Sequence, residues 1–198
     1  MKKKFSIGII DLNAPVILGI TFVSLAILLL GYLTGGATSR FLAVRYTSWL
    51  DPMMYLRLFS HVLVHADFSH YIGNILLILV VGPMVEEKYG SQKLLVMFAV
   101  TALVTGRINV LFFRNVMLMG ASGLVFMLIL LASFTNLREG KIPLTVLLVA
   151  VLYIGNEIWS GITVQDNISR ISHIAGGLCG AGFGFFFHRN KLGNGKRF

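Results

Sequence analysis

Charge is what this chain of 198 residues has little of: 13% of its residues are charged, about half the share usual in soluble domains. Acidic residues are the scarcest, 8 Asp and Glu against 17 Lys and Arg, for a net charge of +9. Proline occurs 4 times and cysteine once, at Cys179. One cysteine excludes an intrachain disulfide, and its apolar neighbours suit a small packing residue. The sequence also lacks an HExxH pattern, an internal repeat and any low-complexity tract. The surplus basic charge forms no single face of a soluble module. It falls in short runs between apolar blocks, which argues for membrane topology and contact with anionic lipid, and against nucleic-acid binding.

What is present is mostly apolar. Hydrophobic residues make up 56% of the chain and the mean hydropathy is +0.81. A spanning helix needs about 20 mainly apolar residues. Six such segments can be drawn, at about 14–33, 58–85 (which begins with a polar, His-rich turn), 93–113, 116–134, 142–159 and 171–187. They predict an all-α membrane protein with a six-helix domain over 14–188, a short cytoplasmic segment 1–13 before it and a basic cytoplasmic tail 189–198 after it. The apolar run behind the N-terminal lysines is about 18 residues long, more than a secretory signal uses, and no small-residue cleavage site follows promptly. It reads as an uncleaved first span. Residues 34–57 carry Phe41, Leu42, Trp49, Met53 and Met54, too apolar for a solvated linker, and are expected to lie in the membrane interface. With the N-terminus inside, 11 Lys and Arg, including every lysine, fall on the inner side and 6 arginines on the other. The positive-inside rule then puts both termini in the cytoplasm.

That orientation brings distant polar residues to one depth, because the second, fourth and sixth segments all begin at the outer face. In Gly120-Ala121-Ser122-Gly123 the glycines leave a serine hydroxyl open and let its backbone N–H point at a developing oxyanion; close helix packing is the competing reading. In Ser172-His173-Ile174-Ala175-Gly176-Gly177 a histidine stands in a span, where it is costly and functional by default, and a neutral imidazole can take a serine proton. Gly176, Gly180 and Gly184 recur every four residues and so share a face, which predicts close packing of the sixth segment on a partner, the fourth being the natural one. In the stretch 57–74, His70 and Asn74 stand one helical turn apart and can both donate to one oxygen. His61 and His65 have zinc-ligand spacing, but no carboxylate is placed to act as base, so no metal is expected. Asp166 lies before the sixth segment and Glu157 near the end of the fifth; neither stands out as a third catalytic member, so a Ser122–His173 dyad is predicted.

These residues together resemble the rhomboid intramembrane serine proteases in their minimal six-helix bacterial form, over roughly residues 45–187. The GxSG motif is Gly120 to Gly123, the last-helix histidine is His173 with Gly176 and Gly177, and the second-helix histidine and asparagine are His70 and Asn74. His61, His65, Arg57 and the turn with Gly82, Glu86, Gly90 and Ser91 also fit. The resemblance implies cleavage of transmembrane segments of other proteins near the outer face of the cell membrane, with Ser122 as nucleophile and His173 as general base. It implies an oxyanion and substrate-binding set of His70, Asn74, Gly120 and Phe126, and no cofactor. The chain departs from the pattern at Phe126, where tyrosine is common, at Ser172, where alanine is usual, at Arg170, and at Leu56, where tryptophan is expected. The alternative is a catalytically inactive rhomboid-like protein that binds membrane helices; such relatives usually lack the serine or the histidine, and both are present here. A transporter or channel would show charged residues at mid-span or paired broken helices, and neither is evident.

Overall fold

A computed structural model describes residues 6–7, 10–133, 144, 148, 151 and 167–193. Most of the fifth apolar segment, with Glu157, and the loop carrying Asp166 lie outside the described residues, as do 1–5 and 194–198. Two short strands, β1 (Ser6–Ile7) and β2 (Ile10–Asp11), pair antiparallel before the bundle. Among the described residues all else that is regular is helical, apart from an isolated bridge between Val44 and Leu118.

Helix α1 (Pro15–Leu33) starts on a proline, whose missing N–H is no loss in a first turn. The next two N–H groups, of Val16 and Ile17, donate to the two carboxyl oxygens of Glu86, each at 3.0 Å. Glu86 sits in the last turn of helix α4 (Phe68–Tyr89) and is 2% exposed, so a buried acid satisfies the start of one helix from the end of another. The two helices also cross closely at Gly82, where a β-carbon would overlap the side chain of Ile17. Helix α5 (Ser91–Phe112) follows after Gly90 alone, whose φ of 86° only glycine adopts cheaply. Helices α1, α4 and α5 are each long and apolar enough to cross a membrane. Their outward faces are apolar, with Leu33, Leu76, Val80, Leu95 and Val96 all exposed, a surface that suits lipid and not water.

Helix α6 (Ser122–Ser133) is buried over most of its length, through Leu124, Met127, Leu128 and Leu131. Helix α7 (Asn167–Gly193) packs along it. The expected stripe of small residues makes that contact: a β-carbon on Gly176 would land on the Gly123 carbonyl, and one on Gly180 on the Met127 carbonyl. The backbones touch, as in other membrane helix pairs built on small residues.

Three boundaries differ from those read in the sequence. The second apolar segment, 58–85, is not one element. Helix α3 (Pro52–Ser60) runs into a 3-10 turn, His61–Leu63, and the chain then straightens before α4 starts at Phe68. Asp67 makes the new start: its backbone is extended and its carboxyl accepts the His70 N–H at 2.8 Å, while the Tyr32 hydroxyl accepts the Phe68 N–H at 3.0 Å. The fourth segment, 116–134, becomes helical only at Ser122, because Leu118 is held extended against Val44. The sixth, 171–187, lies within a longer helix that starts at Asn167 and runs to Gly193.

The loop at 34–57 holds α2 (Ala37–Leu42) and the start of α3. Arg57 ties it together by donating to the Phe41 carbonyl at 2.8 Å and to Asp51 at 3.4 Å. Asp51 caps α3; hydrogen bonds from the Thr47 hydroxyl and the Met53 N–H, with the charge of Arg57, hold its carboxyl below the usual carboxylate range. Trp49 and Leu50 are exposed at the rim of this loop, as interfacial anchors would be.

Candidate active site

The nucleophile candidate is set by the chain that leads into it. Val44 and Leu118 exchange two backbone hydrogen bonds, at 3.0 and 2.9 Å, and the Gly120 N–H donates to the His61 carbonyl at 3.0 Å. Gly120 has φ 125°, a conformation open to glycine and strained for other residues. That turn delivers Ser122 as the first residue of α6.

His173 reaches the same place from α7. Its ring lies flat on Phe126, with centroids 4.4 Å apart and planes 11° apart. Phe126 is one helical turn below Ser122 on the same face of α6, so the stack brings the imidazole to the serine's side of the helix. The neighbouring backbones agree, since a β-carbon on Gly123 would stand 3.5 Å from the Ser172 carbonyl oxygen.

His70 closes the third side. A β-carbon on Gly120 would lie 2.8 Å from the His70 Nε2 and 3.9 Å from the Ser122 Oγ, so imidazole and hydroxyl flank one point beside the glycine. The cap from Asp67 fixes the His70 backbone, and the His65 ring meets the His70 ring edge-on at 5.2 Å. Asn74 is 7% exposed and donates one of its amide hydrogens to the His70 carbonyl at 3.1 Å. The second hydrogen of that amide is the one available to a shared oxygen. Ser122, His173, His70, Gly120 and Phe126 therefore meet around one site, with Asn74 one turn along α4.

The His61 ring is engaged by other groups. Its ring nitrogens lie 3.2 Å from the Arg57 carbonyl oxygen and 3.2 Å from the Thr105 hydroxyl. Among the described residues no three His, Cys, Asp or Glu side chains converge as a metal site would require. Two contributors escaped the reading of the sequence. Asp67 carried a usable signal, an aspartate three residues before a histidine at a helix start. The His61 carbonyl carried none, because every residue has one.

A family description, Rhomboid domain, matches residues 52–190. The chain belongs to the rhomboid family. Rhomboid-related protein 2 of Mus musculus is 29% identical over 142 residues, which cover 65% of this chain and 47% of that protein. Rhomboid protease GlpG of Salmonella choleraesuis (strain SC-B67) is 28% identical over 153 residues, 71% of this chain and 52% of that protein. The protein of the same name in Salmonella newport (strain SL254) gives the same figures. The chain spans about half the length of the curated relatives it matches. With its rhomboid domain and its apolar helices it is a multi-pass membrane protein. Three of the departures from the rhomboid pattern fall close to the site: Phe126 supplies the stacking ring, the Ser172 carbonyl faces Gly123, and Arg170 is buried one turn before His173. Leu56, the fourth departure, is half exposed on α3.

Proposed function

We propose that this rhomboid is an intramembrane serine endopeptidase that cuts transmembrane segments of other membrane proteins. In this reading the Ser122 hydroxyl attacks the scissile carbonyl while His173 takes its proton. The oxyanion of the tetrahedral intermediate is held by the Ser122 N–H, His70 and Asn74, with Gly120 leaving room for it. Collapse expels the amine, which carries off the proton from His173. Water then attacks the acyl-enzyme by the same route, releasing the carboxylate product and restoring the serine. The observation that carries the proposal is the His173 ring lying flat on Phe126, one turn from Ser122. The wider expectations belong to the same reading: six spans within 14–188, both termini cytoplasmic, and a site that opens to the outer side of the cell membrane. A helix delivered there must unwind to expose a carbonyl, so substrates with small or helix-breaking residues near the cut are favoured.

Reconstitution with a transmembrane substrate tests the proposal. Ser122→Ala and His173→Ala should each lower cleavage by at least about 10³-fold with helix content unchanged. Full cleavage by either variant would reject the dyad. Capture of substrate without cleavage by the intact chain would favour the inactive relative.

A further inference from the structure

One polar face of α5 has no part in the proposed chemistry, yet it holds the chain that leads into Gly120. Thr101, Thr105 and Asn109 recur every four residues and are all buried. The two threonines return their hydroxyls to their own helix, Thr101 to the Met97 carbonyl at 2.8 Å and Thr105 to the Thr101 carbonyl at 2.9 Å. Asn109 does not. Its amide donates outward to the Val116 carbonyl at 3.1 Å and to the Val44 carbonyl at 3.4 Å.

These two carbonyls belong to the segments that form the bridge before the nucleophile. Val44 is the residue paired with Leu118, and Val116 stands two residues before Leu118 on the same strand of chain. One side chain thus pins both arms of the bridge to α5, four residues ahead of Ser122. A second anchor follows at Gly120, whose N–H donates to the carbonyl of His61, and the His61 ring lies 3.2 Å from the Thr105 hydroxyl, one turn below Asn109. The segment between α5 and α6 contains no helix of its own, so these anchors set its path. The helix beneath is itself firmly placed: a β-carbon on Gly106 would come within 3.0 Å of the Leu58 carbonyl oxygen of α3.

We infer that Asn109 is a positioning residue for the nucleophile: its two amide donors fix the bridge from which the turn at Gly120 presents the Ser122 hydroxyl and backbone N–H. It touches no reacting atom and acts through the backbone. The inference rests on the protease reading. It goes beyond it in assigning to a buried amide of α5 the task of aligning the serine.

A reagent that reads the serine alone separates alignment from fold and from substrate docking. A fluorophosphonate forms a bond from phosphorus to the Ser122 Oγ and loses fluoride, with the serine proton passing to His173. Full-length protein in detergent is labelled with it, and the rate is taken per folded molecule, with the folded fraction read from thermal unfolding. Asn109→Leu removes both donors and keeps the branched outline, with bulkier methyl groups in place of the amide oxygen and nitrogen. Asn109→Asp keeps the shape but presents acceptors to two carbonyl oxygens. Both variants should label at least about tenfold more slowly than the wild type, since a shift of about an ångström can cost 10²-fold. On a transmembrane substrate kcat should fall in parallel, with KM changed less than about threefold. Wild-type labelling rates in folded Asn109→Leu would overturn the inference, as would slow Leu beside fast Asp, which would make volume and not donation the cause. Should the leucine variant not fold, the aspartate variant decides alone. An intact chain that neither cuts nor labels rejects the protease reading itself, whereas an intact chain that labels no faster than its Asn109 variants rejects only the role of Asn109.

Discussion

Gly120→Ala is the sharpest probe of the proposed oxyanion side. The added methyl would lie 2.8 Å from the His70 Cε1 and Nε2, whereas carbon contacts settle at about 3.5 Å or more. The His70 ring must therefore withdraw by roughly 0.7 Å, while the Ser122 hydroxyl, 3.9 Å from the methyl, need not move. A second cost is independent of the ring: at φ 125° an alanine is strained by about 1–3 kcal/mol. The strain acts on stability and the ring displacement on turnover, so one substitution has two readouts. Losing one oxyanion donor costs on the order of 10²–10³ in kcat, and a partly displaced donor should cost about 10–100-fold. The assay is kcat and KM for a reconstituted transmembrane substrate, measured in a cycle with His70→Ala. Once the ring is gone the methyl has nothing to displace. Gly120→Ala should then add only its strain, and the two rate effects should fall short of additivity by at least about 1.4 kcal/mol, a factor of ten. Additivity within about 0.5 kcal/mol, or a Gly120→Ala enzyme with wild-type kcat, would show that His70 does not work beside Gly120.

Two other substitutions test the supports of the site. Phe126→Leu removes the ring under His173 and should lower kcat by up to about tenfold, the worth of one aromatic stack, while Phe126→Tyr keeps the ring and most of the rate; equal kcat in the leucine variant would deny the stack a role. Glu86→Ala removes both hydrogen bonds to the start of α1 and should destabilise the bundle by roughly 2–4 kcal/mol, with activity per folded molecule kept. An unchanged melting temperature would detach Glu86 from the α1–α4 junction.

What the sequence displayed and what it concealed divide along physical lines. Ser122, His173 and His70 were legible as candidates because a hydroxyl between glycines and imidazoles in apolar runs are rare and costly, and each needs a reason to be there. The packing of α7 on α6 was legible for a similar cause: Gly176 and Gly180 are spaced for one helix face, and the two backbones do touch. The break before Phe68 was legible in part: the histidines mark a polar turn at the start of the second segment, but residues 58–64 read as apolar as a span and hid the separate helix α3. Only the capping carboxyl of Asp67 marks the new start, and one aspartate is a faint signal beside a long hydrophobic run. The non-helical chain at 116–121 was concealed too, since the partner of Leu118, Val44, is more than seventy residues away and offers only backbone. Asn109 was passed over for the same reason: its partners are carbonyl oxygens, and nothing in a residue's identity says that its carbonyl is in use.

The dyad expected from the sequence, with no carboxylate as a third member, suits the medium. In water-soluble triads a buried acid holds the imidazole, but an ionised carboxyl inside a bundle surrounded by lipid is expensive to desolvate. An aromatic ring under the imidazole restricts its tilt without adding charge, and 11° between planes is a close match. A stack alone is worth only about 0.5–1.5 kcal/mol, enough to bias a rotamer several-fold but not to hold a helix. The holding must come from the α6–α7 contact. Methyl groups on Gly176 and Gly180 would strike the carbonyls of Gly123 and Met127, and neither side of that contact has a rotamer to yield. The helices would have to part, and His173 would leave Ser122 with them. Where a soluble protease orients its base with a charge, the proposed dyad would depend on the distance between two backbones, and the glycines set that distance.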